Sequence, residues 1–347
     1  MQKVSLPRRI LRNKAVPLLI ILIVLVFITM LLSSGVLSGA PASALFLEGF
    51  LVPGNLINIF FGLVIRCVLM CGISLILIGG NIDLSVSGQA ALGAMIFALV
   101  CRDVPGLPWG FALAVALLLG VVFGLINNFL VGKLNFPPFI ATIGMASVYR
   151  GLCNVITQGN NIQISRASLI EPVQIKVFDR FPVTFLLALV LVIVYSFILS
   201  KTTFGRSIFM VGGNRQAARL SGLNTARIRM FLFINNGVLA VLGGFLWSAQ
   251  VRLASPTAII ANEPGISVIS ASVLGGVSFM GGAGTLGGPL VALMLLSVFD
   301  NMLMVLGFQP YWNVFARGAL LVVALIIDYI SEERRRRALL VASASGE

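Results

Sequence analysis

The chain has 347 residues, 59% of them hydrophobic and only 10% charged, against roughly 25% charged in ordinary soluble domains; a soluble fold is excluded, and at about 20 residues per crossing the length holds roughly ten spans in one membrane domain. The formal charge of +13 does not call for nucleic acid, because the basic residues flank apolar spans facing anionic lipid and no recognition motif accompanies them. Histidine is absent, which removes His-based acid-base chemistry, His metal sites and His proton relays, and no Gly-x-x-x-x-Gly-Lys-Ser/Thr loop occurs, so any ATP used is bound by another chain.

The amino terminus carries Lys3, Arg8, Arg9, Arg12 and Lys14 ahead of an apolar run from Val16 to Leu32. A signal peptide's apolar region runs about 7 to 15 residues, so this longer run reads as an uncleaved anchor, although Ala42-Ser43-Ala44 resembles a cleavage site. Hydropathy then places spans near 17–37, 55–78, 84–100, 110–131, 139–156, 183–200, 230–250, 266–280, 287–306 and 312–330. The second is expected to divide into an interfacial stretch, Asn55 to Phe61, and a shorter crossing from about Val64. The expected fold is thus an all-α polytopic membrane protein of about ten transmembrane helices.

With both termini inside, the cytoplasmic segments hold 16 of the 24 basic residues, as the positive-inside rule requires. The layout is a cytoplasmic basic amino terminus (1–16), a membrane domain (17–330) and a cytoplasmic tail (331–347). Arg66, Arg150 and Arg317 fall near outer ends of spans, where they can snorkel. The external segment from Thr157 to Pro182 has mixed charge and suits a periplasmic contact, but a solvated connector explains it equally well. Cys67, Cys71, Cys101 and Cys153 form no close Cys-x-x-Cys pair and read as core residues.

Two stretches break apolar segments with glycine and polar residues: Gly79 to Gly88 and Gly275 to Gly284. Gly-interrupted segments at corresponding places in two halves are what transporters with internal repeats show, so a pseudo-repeat is expected. A second echo pairs Asn127-Asn128 and Phe136-Pro137 with Asp300-Asn301 and Gln309-Pro310. Asp83 needs a reason, since a carboxylate at a helix centre in the membrane costs about 2.5 to 3.5 kcal/mol. Capping a helix that begins at Leu84 supplies one, and direct solute contact another. Asn127, Asn128, Asn235, Asn236, Gln250, Asp300 and Asn301 could line a polar route, and interhelical hydrogen bonds explain them about as well.

Lys201 to Arg229 reads as a polar loop with six basic residues and no acid, which the positive-inside rule places in the cytoplasm. Within it Gln216, Ala217, Ala218, Arg219, Leu220 and Ser221 lie between Asn214, a good N-cap, and Gly222, a good terminator. This reads as a short exposed helix that offers a docking surface to a cytoplasmic partner.

Several motifs in order carry a family resemblance: Ile82-Asp83-Leu84-Ser85-Val86 with Gly80 and Gly88 around it, Phe139-Ile140-Ala141-Thr142 with Tyr149-Arg150-Gly151, Thr203-Phe204-Gly205-Arg206, Gly212-Gly213-Asn214, Ala217-Ala218-x-x-Ser221-Gly222, and Leu274-Gly275-Gly276. Together they resemble the permeases of ATP-binding-cassette importers for ribose, xylose, arabinose, rhamnose and autoinducer-2, over nearly the whole chain. The resemblance implies that residues 214–223 form a coupling helix seated on a separate ATPase subunit, which holds ATP and magnesium. No cofactor is then expected on this chain. It also implies a second permease copy or paralogue, a periplasmic solute-binding protein and a bacterial inner-membrane location. Gln216 stands in place of the usual acid of the importer coupling helix, and Asn81 and Ser87 stand where the family usually has glycine. Asn81 before Ile-Asp is similar to the autoinducer-2 and rhamnose branches. Competing readings are a branched-chain amino-acid-type importer permease, an ion-coupled secondary carrier and a membrane-embedded enzyme.

Overall fold

A backbone in hydrocarbon must satisfy its own hydrogen bonds, so long apolar runs fold as helices. The computed structural model describes residues 15–34, 49–104, 106–165, 167–177, 181–261, 263–309 and shorter pieces between 311 and 330. In chain order the helices are α1 (Ala15–Ser33), α2 (Pro53–Ile78), α3 (Val86–Asp103), α4 (Trp109–Gly132), α5 (Pro138–Thr157), α6 (Ala167–Gln174), α7 (Val183–Lys201), α8 (Thr203–Gly213), α9 (Arg215–Leu220), α10 (Thr225–Val251), α11 (Ala258–Ala261), α12 (Pro264–Leu274) and α13 (Gly287–Val305). Among the described residues eight of these, α1 to α5, α7, α10 and α13, are long and apolar enough to cross a membrane. The protein is therefore a polytopic all-helical membrane protein.

Three expectations need correction. The second span is not divided: Pro53–Ile78 is one helix of 26 residues, started by a proline at a position where a backbone N–H has no intrahelical partner anyway. The span expected at 266–280 is instead the eleven-residue α12, because Gly275 and Gly276 end it and residues 275–286 run on without helix. The polar run 201–229 is not loop throughout, since it contains α8, α9 and the first turn of α10, with Arg227 and Arg229 already helical. Residues 1–14, Ala42-Ser43-Ala44, Arg166, Asp179, Arg180, Arg317 and 331–347 lie outside the described residues, as does much of 312–330.

The core forms around α2, which is 83% buried over its span although it is among the most apolar helices. It packs against α7, α10, α12 and α13, while α1 lies on α13. A close helix crossing joins α4 to α10. Gly120 and Gly124, spaced as Gly-x-x-x-Gly, face Gly237, and a β-carbon on Gly237 would stand 2.2 Å from the Gly120 carbonyl oxygen. Without a hydrophobic force between helices in lipid, such small-residue faces allow backbone approach. That approach sets Asn127 of α4 and Asn236 of α10 side by side around the interior described below.

The connector from Thr157 to Pro182 is partly built. Strand β1 (Ile162–Gln163) pairs antiparallel with β4 (Leu253–Ala254), with Ile162 opposite Ala254, and β2 (Lys176–Val177) pairs with β3 (Phe181–Pro182). The first pairing ties the connector to the end of α10. All four cysteines are buried.

Candidate functional site

The two glycine breaks end their helices in the same way. Gly79, Gly80 and Asn81 donate to the carbonyls of Leu75, Leu77 and Ile76; Gly275, Gly276 and Val277 donate to those of Ala271, Val273 and Ser272. Each is a Schellman-type cap whose second glycine has positive φ, +71° at Gly80 and +99° at Gly276. The two helix ends lie side by side, with Ser74 and Ser272 hydroxyls 3.0 Å apart. The end of α8 is inserted between the breaks. A β-carbon on Gly212 would meet the Ile78 carbonyl oxygen at 1.8 Å and the Gly282 nitrogen at 2.7 Å, and one on Gly281 would meet Gly80 at 2.8 Å. Three main-chain segments therefore touch directly, and α9 begins two residues after Gly213.

Beyond the first break the chain rises as residues 81–85 and places Asp83 in the interior. Asp83 is 2% exposed, and Ser85, Gln89, Asn127 and Asn236 are fully buried around it. Its Oδ1 accepts from the Ser85 backbone N–H at 2.9 Å and the Ser85 hydroxyl at 2.6 Å. Its Oδ2 accepts from Gln89 Nε2 at 3.2 Å, Asn127 Nδ2 at 3.1 Å and Asn236 Nδ2 at 3.0 Å. Helix α3 begins at Val86, not at Leu84, so the carboxylate braces the residue before the helix and lies near its positive end. Both Gln89 and Asn236 turn their N–H groups inward although this leaves Gln89 Oε1 and Asn236 Oδ1 unpartnered, the orientation a negative charge dictates. Thr142 of α5 accepts from the Leu84 N–H at 3.1 Å, and the Tyr149 hydroxyl lies 3.4 Å from Asn127 Oδ1. One carboxylate thus fastens the break to α3, α4 and α10, with α5 held alongside.

The other polar residues divide among separate places. Asn128 accepts from Arg229 Nε at 3.3 Å, and Asn235 accepts from the Tyr195 hydroxyl. Asp300 and Asn301 belong to a distinct group at the far end of α2. There Arg66 Nη2 meets Asp300 Oδ2 at 2.8 Å, with both side chains 13% exposed, and Arg66 Nη1 donates to Ser297 at 2.9 Å. Arg66 is therefore a partly buried ion-pair partner and does not snorkel. Asn55 and Asn301 exchange amide hydrogen bonds at 2.8 and 2.7 Å. Arg66, Ser297, Asp300 and Asn301 border a hollow of about 290 Å³ with Asn58, Phe308 and Asn313. The structure thus does not join Asn127, Asn128, Asn235, Asn236, Asp300 and Asn301 into one route.

Helix α9 is set by its ends. Asn214 Oδ1 accepts from the Ala217 N–H at 2.9 Å, and Gly222, at φ +84°, donates to Arg219 while Leu223 donates to Ala218. Ala218 is buried against the body; Gln216, Ala217, Arg219, Leu220 and Ser221 are exposed, Leu220 to 83%. Gln89 and Ser297 are site residues that sequence reasoning did not single out, and Thr142 and Asn55 entered it only as a motif residue and a segment boundary. Gln89 carried a usable signal, a polar side chain four residues after Ser85 and so on the same helical face.

Residues 55–325 match the family described as branched-chain amino acid transport system / permease component. The chain is 35% identical over 278 residues to the autoinducer 2 import system permease protein LsrC of Yersinia pseudotuberculosis serotype O:1b (strain IP 31758), covering 78% of this chain and 76% of that protein. It is 34% identical, with the same coverage, to the protein of that name from Yersinia pestis (strain Pestoides F). Against the Yersinia enterocolitica serotype O:8 / biotype 1B protein of that name the identity is 34%, covering 78% of this chain and 74% of that protein. No solved structure matches the chain.

Proposed function

The chain belongs to the branched-chain amino acid transport system / permease component family, and from that membership we propose that it forms the membrane pathway of an ATP-binding-cassette importer for a sugar or sugar-like solute. The match over residues 55–325 carries the reading. The similar proteins named as autoinducer 2 import permeases favour a sugar-like cargo over an amino acid. Membership in a permease family also favours this reading over an ion-coupled carrier or a membrane enzyme.

In this reading a separate ATPase subunit binds ATP and magnesium and seats α9 in its surface. A periplasmic binding protein delivers the solute, and a second permease copy or paralogue completes the pathway. The charge asymmetry supports an inner-membrane protein with both termini in the cytoplasm. Solute passes by the hollow beside Arg66, Asp300 and Asn301, where an ion pair, amides and an aromatic edge offer the mixture that hydroxyl-rich molecules bind. Asp83, Asn127 and Asn236 support the pathway from behind, since their hydrogen bonds are directed at one another.

The test is purification of tagged protein in mild detergent from its native host, followed by identification of co-purifying chains and an uptake assay. An ATPase with two P-loops and uptake that fails on ATP depletion but survives proton and sodium ionophores are expected. Stable protein with no ATPase partner, and uptake abolished by ionophores, would overturn the reading.

A further inference from the structure

Under α9 lies a cavity of about 800 Å³, bordered by Arg215, Arg219, Asn224, Thr225 and Arg229 and by the end of α4 at Gly132. Three guanidinium groups share it, and no carboxylate lines it among the described residues. Nor does the nearby sequence supply one: no acid occurs from 104 to 170 or from 180 to 262. Three like charges around one space repel unless an anion joins them.

Arg229 is the informative member. It is 4% exposed, and its Nε is engaged with Asn128, yet its Nη1 is buried without a partner. A buried donor left unpaired is costly, and a buried charge more so. Its position is built, since a β-carbon at Gly132 would stand 2.2 Å from Arg229 Nη2; α4 ends in a residue with no side chain where the guanidinium lies. Beside this cavity Leu220 projects from α9 at 83% exposure. Arginines are enriched in protein-binding hot spots, and an exposed leucine beside them gives a protein partner apolar surface to cover.

We propose that this cavity receives an Asp or Glu side chain from the surface of the partner ATPase, which pairs with Arg229 and is flanked by Arg215 and Arg219. The proposal rests on the importer reading given above. It assigns the polarity of the contact: the permease supplies the arginines and the ATPase supplies the acid, with Gln216 neutral at the rim. A planar guanidinium holds a carboxylate through two parallel hydrogen bonds, so the contact fixes the orientation of α9 as well as its affinity.

The experiment uses the full permease in nanodiscs with its co-purified ATPase. Arg229→Gln is expected to weaken ATPase binding by about tenfold or more, while the melting temperature of the isolated permease stays level or rises because an unpaired buried cation is gone. A melting temperature that falls with ATPase affinity unchanged would make Arg229 a merely structural residue and overturn the proposal. A photo-crosslinking residue at Gln216 is expected to capture an ATPase peptide containing Asp or Glu. A lipid adduct, or a peptide from residues 331–347 of this chain, would also overturn it. Wild-type permease that binds no ATPase would defeat the importer reading itself, and the proposal with it.

Discussion

The backbone N–H of Gly282 donates to the carbonyl oxygen of Ile78 at 2.8 Å, joining the last turn of α2 to a glycine loop 204 residues further along the chain. Gly212 packs against that same carbonyl, and α9 starts at Arg215. A displacement of α9 therefore reaches both helix breaks through main-chain contact alone, with no flexible side chain between. Close-packed contacts of this kind transmit strain.

Gly212→Ala places a methyl group 1.8 Å from the Ile78 oxygen and must push the three segments apart. We expect ATP-driven uptake to fall to background and the melting temperature to drop. Its neighbour is the control: a β-carbon on Gly213 finds nothing nearer than Gly282 at 3.9 Å, so Gly213→Ala should retain both. Equal behaviour of the two variants would remove the junction from the mechanism.

Asp83→Ala removes the carboxylate that accepts from the buried donors of Ser85, Gln89, Asn127 and Asn236; Gln89 and Asn127 keep Ser85 Oγ as a second acceptor, and each N–H or O–H left unpaired costs about 1–3 kcal/mol. Thermal unfolding in detergent should occur well below wild type, and Asp83→Asn, which turns one acceptor into a donor facing donors, should not restore it. Unaltered melting of Asp83→Ala would show that water replaces the carboxylate easily.

Arg66 and Asp300 are tested as a pair. Removing either charge alone strands the other at 13% exposure and should destabilise by about 3 kcal/mol, the low end for a buried pair. Arg66→Met with Asp300→Leu should melt above either single variant, yet lose solute uptake if the hollow between α2 and α13 lies on the pathway. Uptake that survives the double substitution would direct the search elsewhere.

Gly222→Pro removes the N–H that bonds to Arg219 and forbids the φ of +84° that ends α9. The membrane helices do not depend on that turn. Normal insertion, judged by yield and monodispersity, should accompany loss of ATPase stimulation in the reconstituted complex, and retained stimulation would argue against α9 as the contact.

Much of this architecture could be read from the sequence because its signals are local. Asn214 and Gly222 define α9 through caps that need only neighbouring residues, and the doubled glycines at 79–80 and 275–276 announce helix ends. What escaped was set by distance in sequence. The stretch from Asn55 to Phe61 was expected to be interfacial, but it belongs to the unbroken α2, where Asn55 is satisfied by Asn301 on α13. Arg66 looked like an interfacial residue because Asp300 lies 234 positions away. Span 266–280 was overlong because hydropathy averages across Gly275 and Gly276, whereas the helix stops there. Arg229 sounded like loop charge, and only the packing of α4 on α10 buries it.

The position of α2 has a consequence for how the protein is made. This helix leaves the ribosome early, yet its lasting neighbours α10, α12 and α13 come late: Thr225 follows Ile78 by 147 residues, roughly 7–30 s of synthesis. Until they arrive α2 has only lipid or a membrane chaperone to cover a face that ends up protein-lined, and Arg66 waits longer still for Asp300. Insertion and assembly are thus separated in time, and a chain truncated before α13 should be held by quality control with its central helix still partly uncovered.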